Sequence, residues 1–139
     1  MGDVVVKIKL ENYAIAEAVK TGLAKRDVPS IDVDAVVDTG ARMLAIPEDL
    51  ARALELARVR QTNVIYAAGT RAMRDIVGAL TVTFGDRSAT LDAIVLPKSA
   101  ETLLGQVPLE VLDLLVDCNT QTLVRNPKSP DDKTLYTLY

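Results

Sequence analysis

No histidine occurs anywhere in the 139 residues, which removes every serine–histidine, cysteine–histidine and histidine–metal arrangement, and histidine as a general base. One cysteine, Cys118, rules out an intrachain disulfide, a CxxC redox pair and a cysteine zinc site, and it suits a reducing cytoplasm. Basic residues do not dominate: 16 Lys and Arg stand against 19 Asp and Glu, a net charge of −3, so no broad positive field is available for nucleic acid. Long apolar runs are missing too. The longest are four or five residues, against the roughly 20 needed to cross a bilayer, and no membrane span is expected. The start, Met1 to Val6, has neither an apolar leader core nor the hydroxyl residue a myristoylation signal wants.

What is present is enough for one core: 49% of the residues are hydrophobic, in a chain of single-domain length. Val4, Val6, Ile8 and Leu10 alternate with Lys7 and Lys9 and predict a strand with one buried face. Tyr13 to Val19 is a short helix-compatible stretch, closed by Gly22 and followed by a loop at 25–30. A second strand, Ile31 to Val37, runs straight into Asp38-Thr39-Gly40, where glycine signals an abrupt turn. Met43 to Ile46 leads into a helix with Pro47 at its first position and Glu48 and Asp49 in its first turn. Residues 58–67 and 71–84 read as two long strands around Ala68-Gly69-Thr70. In the second, Ile76, Gly78, Leu80, Val82 and Phe84 are expected on one face. Gly85-Asp86-Arg87 turns into a strand from Ala89 to Leu96. Beyond it come Leu103-Leu104-Gly105, a helix opening at Pro108, a strand at Leu114 to Asp117, a turn at Asn119-Thr120 and a strand at Thr122 to Arg125. Residues 1–125 are expected to form one domain, with 126–139 as a proline-containing tail.

A weak internal repeat runs through these elements. Asp34-Ala-Val-Val37 is echoed 58 residues later by Asp92-Ala-Ile-Val95, and Ile46-Pro47 is echoed 61 residues later by Val107-Pro108. Each half then reads as strand, loop, short strand, helix, which predicts two β-rich halves related by an approximate twofold.

The segment Val36-Val37-Asp38-Thr39-Gly40-Ala41 places a carboxylate where an apolar strand breaks into a tight loop. Taken alone it also fits a strand-terminating turn. Together with Leu44-Ala-Ile-Pro47 and its helix, the hairpin tip Tyr66-Ala67-Ala68-Gly69-Thr70, the apolar-apolar-Gly set Leu103-Leu104-Gly105 and the closing stretch Leu114 to Val124, it resembles the retropepsin-like aspartic proteases, the retroviral proteases and their bacterial relatives. The resemblance implies a mostly β acid-protease barrel with short helices, one half of a homodimeric aspartic protease.

It also implies roles. Asp38 would be the catalytic carboxylate; Thr39 would hydrogen-bond across to a partner loop; Gly40 would allow close backbone approach; Ala41 would pack behind the acids. Tyr66, Ala67, Ala68, Gly69 and Thr70 would form a flap over a bound peptide, and Leu104 and Gly105 would buttress the catalytic loop. No metal or organic cofactor is implied.

Carboxylate-only peptide hydrolysis needs one ionised and one protonated carboxyl within hydrogen-bond reach, and two such groups share a proton because both cannot easily ionise. The chain has one Asp-Thr-Gly, and its second half carries Leu96-Pro97 where the first carries Asp38-Thr39. The second acid must come from a second copy, and the expectation is a homodimer acting on peptide or protein substrates, with no nucleic acid and no membrane as partner. Ala41 has no hydroxyl to steady an ionised carboxylate, so a mildly acidic optimum is expected. The flap carries one glycine, Gln106 follows Gly105, and Arg42 follows the catalytic loop, all departures from the viral pattern. An Arg42 turned to the cleft would favour acidic substrate side chains; a solvated one would do nothing. Two other readings stay open: the same fold as a catalytically silent peptide-binding or dimerisation module, and a magnesium-dependent phosphotransfer domain using Asp32 and Asp34.

Overall fold

The computed structural model describes residues 3–127. Met1, Gly2 and the tail beyond Pro127, with Pro130, Asp131 and Asp132, lie outside the described residues. The first strand, β1 (Val4–Asn12), buries Val6, Ile8 and Leu10 and turns Lys7 and Lys9 outward, as its alternation requires. It runs two residues past Leu10 to the buried Asn12, which joins three segments. Its Oδ1 accepts from Ile15 N at 2.9 Å, capping α1 (Tyr13–Lys20), and its Nδ2 donates to the carbonyls of Leu54 and Glu55 at 2.9 and 3.1 Å. A buried asparagine with its groups so used costs little.

Next come β2 (Ser30–Val37), β3 (Leu44–Pro47), α2 (Glu48–Ala53), β4 (Ala57–Ile65), β5 (Arg71–Phe84), β6 (Arg87–Leu96), β7 (Thr102–Leu104), α3 (Gln106–Leu112), β8 (Leu114–Asp117) and β9 (Thr122–Arg125). The sheet order is β1-β2-β7-β3-β6-β5-β4, and β1 also pairs with β5. Six strands therefore close on themselves as a barrel, with β4 attached outside the ring and β8–β9 a separate two-stranded ribbon. The protein is mostly β, a closed six-stranded barrel with short helices.

The registers reveal the twofold. Ala35 pairs with Thr102 and Leu44 with Ala93; Val37 pairs with Leu104 and Ile46 with Val95. Within each set the positions map onto each other by a shift of 58 (35 to 93, 44 to 102). Ala45 pairs antiparallel with Leu103, its own image, and so sits on the pseudo-axis. The helices obey the same shift, Glu48 matching Gln106, so the 61-residue spacing read from the two prolines is corrected to 58. Pro108 does not open α3; it is its third residue. That is tolerated because the first-turn N–H it lacks has no intrahelical acceptor. Pro47 likewise moves from first helical residue to N-cap of α2.

Ile46 and its image Leu104 are both fully buried, beside Leu10, Leu44, Leu54, Leu80 and Leu112. Removing each such side chain from water is worth roughly 1.5–3 kcal/mol. In β5 the expected single face is broken by a bulge between Val77 and Leu80. Val77 pairs with Ala93 and Leu80 with Leu91, two residues apart on β6, so Val77 and Leu80 share the core face while Ile76, opposite Ile94, points the other way. The extra residue absorbed at Gly78-Ala79 shifts the alternation by one.

Candidate active site

Asp38 lies where β2 leaves the barrel. Its N–H donates to the Leu104 carbonyl at 3.0 Å, continuing the β2–β7 ladder by one bond. Its Oδ1 accepts from Gly40 N at 3.0 Å, and its carbonyl accepts from Ala41 N at 3.1 Å. Side chain and main chain thus fold residues 38–41 into a turn that presents the half-buried carboxylate beside the exposed Thr39 and Gly40. A Cβ at position 40 would stand 3.2 Å from Asp38 Oδ1, crowding the oxygen the loop has just placed.

The far side of the loop is held by α3. Gln106 N donates to the Ala41 carbonyl at 2.8 Å and Val107 N to the Arg42 carbonyl at 2.9 Å. These are first-turn amides without intrahelical acceptors, so the helix start and the loop satisfy each other. Gly105 makes this approach possible: a Cβ there would collide with the Met43 carbonyl oxygen and lie 2.8 Å from that of Ala41. Leu104, with no exposed surface, fixes the position from within the core. Sequence reasoning reached Leu104 and Gly105 but missed the Gln106 and Val107 amides. Aligning the halves at 58 rather than 61 would have put a helix start at Gln106 and exposed them.

Tyr66, Ala67, Ala68, Gly69 and Thr70 lie together at the tip of the β4–β5 hairpin, all exposed. Tyr66 N donates to the Thr70 carbonyl at 2.9 Å and Gly69 N to that of Tyr66 at 2.8 Å, with Gly69 at φ +85°, where glycine is favoured. From Arg71 to Asp75, β5 pairs with β4 alone, so the hairpin projects beyond the barrel. Its faces differ. Thr62, Val64, Ala72 and Arg74 are half-buried, and Arg74 Nε donates to the Tyr66 hydroxyl at 3.2 Å, while Ile65 and Met73 on the other face are 65% and 56% exposed.

A surface groove of about 330 Å³ runs from Thr39 past Gln106 and Leu109 to Leu115. Asp32 and Asp34 are exposed on the outer side of β2, where Lys7 stands 3.6 Å from Asp34; they are the polar face of an alternating strand. Cys118 is an exposed turn residue. Among the described residues no group of three or more potential metal ligands comes together, and no helix is long and apolar enough to cross a membrane.

A family model described as "gag-polyprotein putative aspartyl protease" matches residues 27–110, from the loop before β2 into α3, and so includes the Asp38 loop, the hairpin tip and Gly105. The chain belongs to the retroviral-type aspartyl protease family. Within that family, a solved structure of the EIAV protease with the inhibitor HBY-793 is similar in fold: TM-score 0.56 at 15% identity, over 80% of this chain and 88% of that one. Comparison with curated protein sequences finds no match. The family and the barrel are thus of the aspartyl protease type.

Proposed function

We propose that the chain is an aspartic endopeptidase acting as a homodimer, in which a water held between two copies of Asp38 is the nucleophile. The observation that carries this reading is the pairing of one built loop with one unbuilt image. Asp38 is held by three hydrogen bonds to the backbone of Leu104, Gly40 and Ala41, and its pseudo-symmetric counterpart is Leu96, which bears no acid. The second carboxyl is supplied by a second molecule related by a twofold axis. One Asp38, ionised, takes a proton from the water; the other, protonated, donates to the scissile carbonyl oxygen, and the proton shared between them resets the pair.

Thr39 hydrogen-bonds to its twin and holds both loops in register, a role its exposure supports. Gly40, Ala41, Leu104 and Gly105 set the acid's position, and Tyr66 to Thr70 form the flap that closes over the peptide. The exposed apolar pair Ile65 and Met73 offers that flap a surface to cover substrate side chains. The chemistry asks for no metal or organic cofactor, and the single thiol suits a cytoplasmic setting. The catalytic domain spans 1–125, with 126–139 as an appended tail.

The test is cleavage of a denatured protein between pH 4 and 6 by wild type and Asp38→Asn, with the oligomeric state measured by sedimentation. Wild-type activity is expected to disappear in the variant. Adding an equal amount of the variant to wild type is expected to lower activity to about half, because mixed dimers carry one competent acid. Activity that survives the substitution would overturn the mechanism. A stable dimer without activity would make the fold a peptide-binding module.

A further inference from the structure

Nine arginines lie among the described residues, and six are ion-paired with carboxylates, Arg52 with Glu48, Arg58 with Asp75 and Arg60 with Asp92 among them. The three in no ion pair among the described residues are Arg42, Arg71 and Arg74. All three belong to the two elements that frame the proposed cleft. Arg42 directly follows the catalytic turn and is exposed; its main chain is fixed by the bond from Val107 N. Arg71 is exposed at the base of the flap turn, opposite Ile65. Arg74 has as its side-chain partner the neutral phenol of Tyr66, 3.2 Å away. Glu48 and Asp75 share a surface hollow with Arg74, but both are engaged elsewhere, Glu48 with Arg52 and Asp75 with Arg58 and Gln61. In a chain of net charge −3, the arginines in no ion pair among the described residues stand on the catalytic loop and the flap, whereas the lysines in none, Lys20, Lys25 and Lys98, lie on other segments.

We propose that two of these arginines, Arg42 and Arg71, the latter on the same hairpin face as Ile65 and Met73, select the substrate: a peptide carrying Asp or Glu side chains close to the scissile bond. The inference rests on the peptidase reading and names its substrate class. Twofold symmetry presents each arginine twice, once on either side of the dyad, so acidic residues are favoured both before and after the cleaved bond. Guanidinium is suited to the task because its planar fork can hold a carboxylate by two parallel hydrogen bonds. Each contact is solvent-exposed, so selection is graded, about two- to fivefold per arginine at low ionic strength.

The test uses a peptide library made from denatured protein fragments, with cleavage sites read by mass spectrometry, followed by a synthetic peptide from a strong site and its Glu→Gln twin. Wild type is expected to cut the glutamate peptide faster, with the ratio growing as pH rises through about 4.3, where that side chain ionises, and shrinking in 0.5 M salt. Arg42→Gln combined with Arg71→Gln is expected to level the two peptides, whereas Arg52→Gln, in an ion pair on α2, leaves the ratio unchanged. Cleavage with no acidic enrichment, or an enrichment that survives the double variant, overturns the inference and leaves the peptidase reading standing. Binding of both peptides to the Asp38→Asn protein, by fluorescence anisotropy, decides the matter apart from turnover: equal affinities overturn the inference, and tighter binding of the glutamate form that is lost with Arg42 and Arg71 upholds it. Absence of turnover in wild type strikes at Asp38 alone.

Discussion

The ends of β2 and β6 occupy equivalent places in the two halves of the barrel, yet one carries Asp38-Thr39-Gly40 and the other Leu96-Pro97-Lys98. The three pairs of the β2–β7 ladder each have an image in β3–β6, which adds a fourth, Pro47 with Leu96. Asp38 takes the Leu104 carbonyl just as Leu96 stands in register with Pro47. What separates them is the seam to the following helix. In the second half a glycine, Gly105, lets α3 press its first amides into the Asp38 loop; in the first half the same position is Pro47, whose ring occupies the space a glycine leaves free. A backbone symmetric by hydrogen bonding is thus made chemically one-sided by two residues, Gly105 and Asp38. The lesson is that a pseudo-symmetric scaffold leaves room for one half to carry an acid-bearing loop and the other to hold that loop in place.

The largest test of this contrast is Asp38→Asn, expected to lower peptide cleavage by roughly 10²–10⁴-fold while leaving the thermal transition in place, whereas Leu96→Asn leaves the rate within about threefold. Next is Gly105→Ala against Pro47→Ala. The first forces a methyl into the loop carbonyls and is expected to destabilise by about 1–3 kcal/mol in urea titration, with lost activity; the second changes stability by less than about 1 kcal/mol. Equal costs would mean that the helix seam does not distinguish the halves. Third is the hairpin tip: Gly69→Ala, at φ +85°, is expected to cost roughly 1 kcal/mol and, under the proposed flap role, to raise KM more than it lowers kcat, because the strain falls on the turn rather than on Asp38.

The smallest expected effect lies in the β8–β9 ribbon, which follows α3 as the β4–β5 hairpin follows α2. Asp117 is held below the usual carboxylate range chiefly by the backbone N–H of Thr120, then by that of Asn119, 3.3 and 3.0 Å from its Oδ1. A carboxyl whose pKa is lower folded than unfolded binds fewer protons in the native state. Its contribution is therefore full above the ordinary carboxylate pKa and is lost as pH falls through the depressed value. Asp117→Asn is expected to flatten the acid limb of the stability profile slightly and leave neutral-pH activity unchanged. A change in peptide cleavage would instead give this ribbon a part in the site.

Strand alternation from Val4 to Leu10, the Asp38 turn, the hairpin tip at 66–70 and the β8–β9 ribbon were all legible in the residues, because each depends on local pattern: period-two burial, a glycine at a turn, polar residues at a reversal. The β5 bulge was not legible. Ile76, Gly78, Leu80 and Val82 form an unbroken alternating series, and only the partner register on β6 shows that one residue is extra. The start of α3 was placed two residues late, because proline is a strong local signal and the amides it obscured are satisfied by a loop 65 residues earlier in the chain, Gln106 N on Ala41 O.

By itself, then, the sequence settled which chemistries were closed and which acid was available: with no histidine and a lone thiol, the chain's one Asp-Thr-Gly was the place to look. Tertiary structure decided the rest. It alone joined β2 to β7 and β3 to β6, set Gly105 against the loop of Asp38, and, among the described residues, ion-paired six arginines but not Arg42, Arg71 or Arg74. The physical reason is range. Alternation and turn chemistry act between neighbours in the chain, whereas parallel pairing, close backbone approach and charge compensation depend on which distant segments the closed barrel brings together.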